Sequence, residues 1–503
     1  MTRWPCLILL IFLAVAITHR ADAQPCGSYA GVVTDAGTGE ALPGANVLVL
    51  GKPGGTSTGV AGDFVIHASV GDTLRASFSG FTPQLVTLSD SCTLVIRLAP
   101  ASDELQTVVI QSEKLIAEEF TIRKIRRLDI YNNPSAKADP ILAVNATPSA
   151  TTTDESANIS LRGSTPAETG IFFNNVPIND AVRYGQLNGI GTFSIFNTAL
   201  VNQVQVYPGN PPLEYGGTTS GMISLTTDET LPDRPTNTVS FTLASFGAYT
   251  ARRTGKRSAL TAFSNYQPST FIKALNPKAL ERITNFESID LGLHYMLAPS
   301  TSTLVKVFTY GIRESYQYFY KHPTYQGNFT QAKNRMYTVI NFRKRFARSE
   351  FTVNNGFSFS YANYFSGPLD VNLWQRDFFG AVNYQHFGGR AEFKGGLTYD
   401  TRFARYQGQF PAYPHAFGEA YPTDSASSAQ RYQVPEAYAY GKYFLAPRVT
   451  IGGGLRKNVV VGDTRDYLSY QLNVSYRPSK YVTINLSGGR YNKYQLPQDE
   501  QAL

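Results

Sequence analysis

The stretch from Asn158 to Thr227 reads NISLRGSTPAETGIFFNNVPIND at 158–180 and, after a loop, NQVQVYPGNPPLEYGGTTSGMISLTT at 202–227. Short alternating strands are expected at Ile159–Leu161, Ile171–Phe173, Val204–Val206 and Met222–Leu225, divided by Gly, Pro and Asn turn clusters. The chain before this stretch reads as secreted, soluble β structure. The chain after it reads as long alternating strands suited to a membrane. The stretch stands where the two meet.

The composition narrows the classes. Of 503 residues, 42% are hydrophobic, only 16% are charged and 13% are aromatic, with 31 Tyr and 31 Phe. No apolar run beyond the first residues is long enough for a spanning helix. A tyrosine-rich, charge-poor chain of this kind suits a membrane β-barrel, whose signal per segment is weak. The net charge of +8 comes from basic residues scattered through turns, with no basic–aromatic module, so nucleic acid is not an expected partner.

The first residues read as a secretory signal, 1–23. Arg3 supplies the positive start, Leu7–Ile17 the apolar core, and Ala21-Asp22-Ala23 the small-residue site for cleavage between Ala23 and Gln24. Cys6 would leave with the signal. Cys26 and Cys92 remain, an even count in an oxidising compartment, and a disulfide between them is expected; two free thiols are the alternative.

Residues 24–100 have short strands at even spacing between glycine turns, the pattern of a β-sandwich. Candidates are Val32-Val33, Ala45–Leu50, Asp63–Ile66, Thr73–Phe78, Gln84–Leu88 and Thr93–Leu98. Gly31-x-Val33, Thr38-Gly39-Glu40, Leu42–Val47, Gly62-Asp63-Phe64 and Gly71–Leu74 resemble the carboxypeptidase regulatory-like domain that precedes many outer-membrane receptors of Bacteroidetes-type bacteria. Peptidase chemistry is not implied: none of His67, His294, His322, His386 or His415 begins a zinc-binding H-x-x-E or H-E-x-x-H pattern. Gly55-Thr56-Ser57-Thr58-Gly59 matches G-x-S-x-G, but that nucleophile needs a strand–turn–helix elbow, and no helix pattern follows. No catalytic residue, metal ligand or cofactor is expected, and the chain is not read as an enzyme.

Asp103–Gln111 is a β-branched run after an acidic start. It reads either as a last sandwich strand or as an extended peptide that pairs elsewhere. Leu105, Gln106, Thr107, Val108, Val109, Ile110 and Gln111 resemble the Ton box of TonB-dependent receptors. That resemblance implies strand addition to a TonB-type periplasmic energy-transducing protein, with main-chain hydrogen bonds supplying the affinity. Residues 113–130 place Ile116, Phe120, Ile122, Ile125 and Leu128 near helical spacing beside Arg123, Lys124, Arg126 and Arg127. An amphipathic helix is expected there, its cations either solvated or facing a membrane or partner.

Across 112–232 the motifs resemble the plug domain of the same family. Arg162-Gly163 closes a strand. Asn174-Asn175-Val176-Pro177 makes a turn, where many members have Asp-Gly; asparagine keeps the left-handed backbone but loses the acid. Gly209 ends the next strand, and Glu214-Tyr215-Gly216 leads to Gly221 and the last one.

From residue 237 to 503 the pattern becomes long and two-sided. Phe351, Val353, Phe357, Phe359 and Tyr361 oppose Thr352, Asn354, Gly356, Ser358 and Ser360; Leu468, Tyr470, Leu472, Val474 and Tyr476 oppose Ser469, Gln471, Asn473 and Ser475. Apolar-out, polar-in alternation with short turns near Gly255-Lys256, Pro299-Ser300, Arg348-Ser349, Gly388-Gly389, Pro447-Arg448 and Pro478-Ser479 indicates a transmembrane antiparallel β-barrel. Longer polar stretches at Tyr266–Phe286, Tyr316–Asn334 and Tyr406–Tyr432 are expected as loops at the other end. A soluble all-β solenoid is the alternative, but its apolar rows would aggregate in water.

The count is about thirteen strands, against roughly twenty-two in plugged transporter barrels. The barrel is therefore expected to be incomplete, with more strands beyond Leu503. The fold class is mostly β: an N-terminal β-sandwich, a small α/β plug domain and part of a barrel.

The resemblance as a whole implies a receptor in the Gram-negative outer membrane, its N-terminal domain periplasmic, in contact with outer-membrane lipid. It implies import of a small-molecule, metal-chelate or glycan ligand such as a siderophore, cobalamin or oligomer. A surface lipoprotein partner is left open, and adhesion or signalling without uptake is the alternative. Tyr316, Tyr318, Phe319, Tyr320, Phe410 and Tyr413 suit either ligand stacking or a membrane-interface girdle.

Overall fold

The computed structural model describes residues 27–99 and 123–493, apart from 53, 79–80, 152–156, 185–192, 242–244, 276, 279, 323–324, 414–421, 463 and 480. The chain divides into two compact units, 1–107 and 108–503. The expected signal at 1–23, the Ala23–Gln24 cleavage site, Cys26 and the Leu105–Gln111 segment lie outside the described residues.

In the first unit, β1 (Tyr29–Asp35), β4 (Asp63–Ile66) and β7 (Thr93–Leu98) form one sheet in the order β4-β1-β7. The second sheet runs β3-β2-β5-β6, from β2 (Asn46–Val49), β3 (Gly55–Ser57), β5 (Thr73–Ser77) and β6 (Gln84–Thr87). Alternation in each strand sends Tyr29, Val33, Val47, Phe64, Leu74, Ile96 and Leu98 into one shared core. Gly31 has no room for a side chain, because a Cβ there would lie 2.6 Å from the Leu94 carbonyl and 2.7 Å from the Phe64 ring. Cys92 is disulfide-bonded. The G-x-S-x-G segment includes the strand β3, which the sequence pattern did not mark. Its Thr58 accepts from the Ala45 N–H at 2.8 Å and donates to the Leu42 carbonyl at 2.5 Å, so the segment is a sheet edge and no nucleophile elbow.

The second unit begins with a five-stranded mixed sheet, order β10-β9-β12-β11-β8. Its strands are β8 (Arg123–Arg126), β9 (Thr169–Phe173), β10 (Val176–Pro177), β11 (Val201–Pro208) and β12 (Gly221–Thr227), with β9 and β12 parallel. Two expectations fail here. Within the described part of the expected 113–130 helix, Arg123–Arg126 is a strand paired with β11 and Arg127–Tyr131 is helical, while 113–122 lie outside the described residues. Ile125 is buried by the sheet, whereas Leu128 is 64% exposed. Ladder bonds to β11 outweigh the helical spacing of the apolar residues, and Arg127 turns inward to the Val201 carbonyl at 2.8 Å and Asp228 at 2.6 Å. Ile159–Leu161 is no strand; Leu161 makes a single bridge to Ala150, and Ile159 and Leu161 are buried in the plug core.

Thirteen antiparallel strands follow in sequence order. They are β13 (Thr236–Phe241), β14 (Phe246–Gly255), β15 (Ser258–Pro268), β16 (Ile283–Ser300), β17 (Thr303–His322), β18 (Tyr325–Arg345), β19 (Ser349–Ser366), β20 (Leu369–Phe387), β21 (Ala391–Pro411), β22 (Thr423–Ala446), β23 (Val449–Asn458), β24 (Leu468–Ser479) and β25 (Val482–Arg490). The number agrees with the sequence reading, and β13 and β25 are the two edges of the sheet. The sheet curls around the plug. Phe263 of β15, Phe308 of β17 and Val339 of β18 share one core with plug residues, and Asn210 of the plug bonds to β24 and β25.

Burial in these strands is the reverse of a soluble sheet. On β19, Thr352 and Asn354 are buried while Phe357 is 52% exposed; on β24, Gln471 and Asn473 are buried while Leu472 is 63% exposed. The polar face meets the plug and the apolar face looks outward. Two of the three expected loops are largely strand, while Tyr266–Phe286 holds a short helix, Thr270–Leu275, between β15 and β16. Tyr316–Asn334 is a paired hairpin, with Tyr316 opposite Gln331, and β22 alone has 24 residues, about 80 Å of extended chain. Past an apolar belt about 25 Å tall, both faces of a strand meet water. The two-residue hydrophobic period fades there while the ladder continues.

Candidate functional site

The site is the contact between plug and wall. It starts at Asn174-Asn175. Phe173 pairs with Val176, so the two asparagines are the whole loop of a hairpin, with φ of 47° and 65°. Two left-handed residues in a row make a type I′ turn, which fits the twist of the flanking strands.

Asn174 does more than turn the chain. Its side chain is buried; Oδ1 accepts from the Thr227 N–H at 3.0 Å and Nδ2 donates to Thr227 Oγ1 at 3.1 Å. Asn341 of the wall donates to the Asn174 carbonyl at 2.8 Å. Asn175 Oδ1 accepts from the Tyr215 hydroxyl at 2.8 Å, and the Tyr215 ring stands edge-on to Phe172, 4.7 Å between centroids.

The sequence-predicted plug residues gather at two places. Arg162 and Gly163 both have positive φ, and Arg162 packs on Gly209, where a Cβ would lie 2.5 Å from its Nη1. Gly221 lies beside them, its missing Cβ 2.5 Å from the Tyr207 carbonyl. At the second place are Asn174, Asn175, Glu214, Tyr215 and Gly216, with Val176 against Gly356 of the wall. Pro177 lines the cavity between plug and wall.

Apart from Glu214, the charged residues that join plug to wall were not found from the sequence. Asp180 pairs with Lys333 and, at 3.1 Å, with Arg335, which also grips Glu314 at 3.0 Å. Glu229 pairs with Lys306 and Arg343, both at 3.1 Å. Glu214 pairs with Lys394. In the opposite sense, Arg183 of the plug reaches Asp290 at 2.9 Å and the Tyr310 hydroxyl at 3.2 Å. Arg456 donates to the Leu213 and Glu214 carbonyls at 3.0 and 3.2 Å while paired with Glu436 at 2.5 Å. Gly216 passes so close that a Cβ would lie 2.5 Å from Arg456 Nη2.

One signal could have found them. Lys306, Lys333, Arg335, Lys394 and Arg456 all fall on the buried parity of their strands. A cation on that face needs a counter-charge, and most of these take one from the plug.

The electrostatics follow from the pairing. Burial pushes the Asp180 carboxyl up, but Arg335 and Lys333 outweigh it and hold the group below the usual carboxylate range. Glu229 behaves alike between Lys306 and Arg343. Asp139, deep in the plug, goes the other way. Burial raises its carboxyl despite hydrogen bonds from the Leu142, Ser194 and Ile141 N–H groups. Among the described residues, no cluster of three or more His, Cys, Asp and Glu side chains is placed to hold a metal. The arrangement is a small sheet fastened to the surrounding wall by side-chain pairs rather than by strand pairing.

Comparison with known proteins gives concordant results. Residues 29–110 match the family model of a CarboxypepD_reg-like domain, and residues 120–223 that of a TonB-dependent receptor plug domain. The TonB-dependent receptor SusC of Bacteroides thetaiotaomicron is 32% identical over 91 residues, 18% of this chain and 9% of that one. Among solved structures, the siderophore receptor PirA of Pseudomonas aeruginosa superposes with a TM-score of 0.51 at 15% identity, over 75% of this chain and 62% of that one. The ferric enterobactin receptor PfeA of the same organism, as a mutant, gives 0.54 at 15%, over 74% and 62%. The copper transporter OprC gives 0.53 at 13%, over 72% and 61%. The chain thus spans less than two thirds of each of these proteins. At such identities the structural likeness speaks for the fold alone.

Proposed function

We propose that this chain, whose residues 120–223 match the TonB-dependent receptor plug domain, is a receptor of that family that binds a scarce ligand at the outer membrane and imports it into the periplasm. The ligand is a siderophore, cobalamin or a glycan oligomer. The observation that carries the reading is the plug itself, held inside a curled sheet whose outer face is apolar and whose fastenings are side-chain pairs. A stopper of that kind must be moved for anything large to pass. No phosphate-binding loop is present in the sequence, which suits work delivered by a partner.

In this reading the short-turn end faces the periplasm, together with the N-terminal domain. A TonB-type protein pairs with Leu105–Gln111 by strand addition. Tension on that segment strains the contacts of Asp180, Glu214 and Glu229 with the wall. Once those pairs open, the plug shifts and a path appears along the polar inner face. The chain is a receptor and performs no chemistry on its ligand.

The test is uptake by cells expressing the chain, with a radiolabelled ferric siderophore, labelled cobalamin and a fluorescent oligosaccharide as probes. Deletion of 103–111 should abolish uptake of the accepted probe and leave its surface binding intact. Binding without uptake in the unmodified chain would favour adhesion or signalling instead.

A further inference from the structure

The outward face of the wall carries a cluster of arginines that the plug does not explain. Phe403 on β21 lies directly between Arg376 of β20 and Arg431 of β22. Arg405 is two residues further along β21, opposite Trp374 and Ala429. Strand spacing places Arg376 and Arg431 about 10 Å apart, with Arg405 about 7 Å along the strand from Phe403. All three arginines are exposed. They share the face of Phe378, Val382, Leu397 and Tyr399, while Ala381, Ala404 and Glu436 on the opposite face are buried.

None of the three forms an ion pair with a carboxylate among the described residues. Arg376 lies over the Phe359 ring and Arg405 over the Trp374 ring, each 5.9 Å from the centroid. Arg405 Nη2 donates to Gln407 Oε1 at 3.3 Å, and Arg431 faces the Gln433 side-chain amide. The neighbouring outward carboxylate, Asp370, is bonded to Asn363. Three cations therefore stand in a field of aromatic and amide groups.

Their height on the wall is the second observation. On one side the outward face is apolar: Phe357, Phe378, Val382, Tyr384, Phe393 and Leu397. On the other side it turns polar at Asn363, Asn372 and Gln407. The arginines lie at this border, toward the end of the sheet opposite the turns at Arg348-Ser349, Gly388-Gly389 and Pro447-Arg448. An arginine facing lipid costs about 2–4 kcal/mol at mid-bilayer and little at the interface. The border is where lipid headgroups meet the wall, and guanidinium is the side chain suited to grip phosphate with two parallel hydrogen bonds.

We infer that Arg376, Arg405 and Arg431 form a binding site for the phosphate-bearing headgroup of an anionic lipid in the outward-facing leaflet. The aromatic rings hold the guanidinium planes, and the apolar belt below takes the acyl chains. The inference rests on reading the sheet as a membrane barrel. It adds a lipid site on the outside of the wall, apart from the ligand path inside.

The test titrates the purified full chain in detergent with fluorescent phosphatidylglycerol, with phosphatidylethanolamine and inorganic phosphate as competitors. Arg376→Gln, Arg405→Gln and Arg431→Gln combined should weaken phosphatidylglycerol binding about tenfold or more. The same three positions changed to Lys should lose less, since the charge stays and the fork is lost. A control removes three cations from the short-turn end, Arg348→Gln, Arg390→Gln and Arg448→Gln, and should shift binding less than about twofold. Equal loss in both triple variants, or no loss in the first, overturns the site. Displacement of the lipid by inorganic phosphate as readily as by unlabelled phosphatidylglycerol overturns the lipid assignment. Insertion of the same chain into phosphatidylglycerol vesicles is measured in parallel, and if none occurs the membrane reading itself fails. Insertion with unaltered lipid binding in the variants removes only the arginine site.

Discussion

Replacing Asp180 by Asn isolates one fastening of the plug. Asp180 is the plug's partner for Lys333 and shares Arg335 with Glu314. The amide keeps the size and loses the charge. Arg335 retains Glu314, but Lys333, its side chain only 5% exposed, is left as a buried cation with its salt-bridge partner gone. Breaking a buried pair from one side costs roughly 3–5 kcal/mol. The Asp180 side chain is 23% exposed and Arg335 remains paired, so the low end, about 3 kcal/mol, applies. That is a factor of about a hundred in the opening equilibrium of the plug. Amide hydrogen exchange in β9, β11 and β12, measured on the full chain in detergent, should accelerate by about that factor. Amides of β21 and β22 should not change. Adding Lys333→Met should recover most of the loss, because it removes the uncompensated buried charge. Acceleration below about threefold, or equal acceleration in wall and plug, would refute the idea that this pair fastens the plug.

Three further outcomes follow from the same contacts. Asp180 and Glu229 titrate below their unfolded values, so their contribution is complete above about pH 4 and is lost as pH falls through the folded values. Plug protection should therefore drop in acid, and Asp180→Asn with Glu229→Gln should flatten that acid limb; Asp139, whose carboxyl is raised, contributes below about pH 4 and loses that contribution as pH rises. Asn174→Ala removes the side-chain bonds to Thr227 and forces alanine to a φ of 47°; it should cost about 2 kcal/mol, read as faster exchange in β12. Gly216→Ala drives a methyl against Arg456 and Glu436 and should cost about 1–3 kcal/mol of plug stability by the same assay.

How much of this was legible depends on the range of the cause. The alternation of Thr352, Phe357 and Asn354, or of Gln471, Leu472 and Asn473, is local and decided the wall. The Asn-Asn turn was readable because left-handed backbone selects its residues. Arg123–Arg126 was misread as helix because its partner strand, β11, lies some eighty residues further on. The pairs Asp180–Lys333, Glu214–Lys394 and Glu229–Lys306 were missed for a similar reason: each joins residues far apart in the chain, and the inward parity of the three lysines does not say which plug carboxylate each one meets. Phe319 and its neighbours show the same limit. Phe319 faces outward, while Tyr316 and Tyr318 share the inward face with Tyr310 and Ile312. Composition alone could not separate a girdle from a lining.

The central claim is that the plug must move against the wall for uptake. Val176 of the plug and Gly356 of the wall offer the direct test, because a Cβ on Gly356 would lie 3.5 Å from the Val176 Cβ. That separation suits a disulfide. In Val176→Cys, Gly356→Cys, oxidised cells should bind the transported ligand normally and fail to import it, and a reductant should restore import. Undiminished uptake with the bond formed would contradict the account.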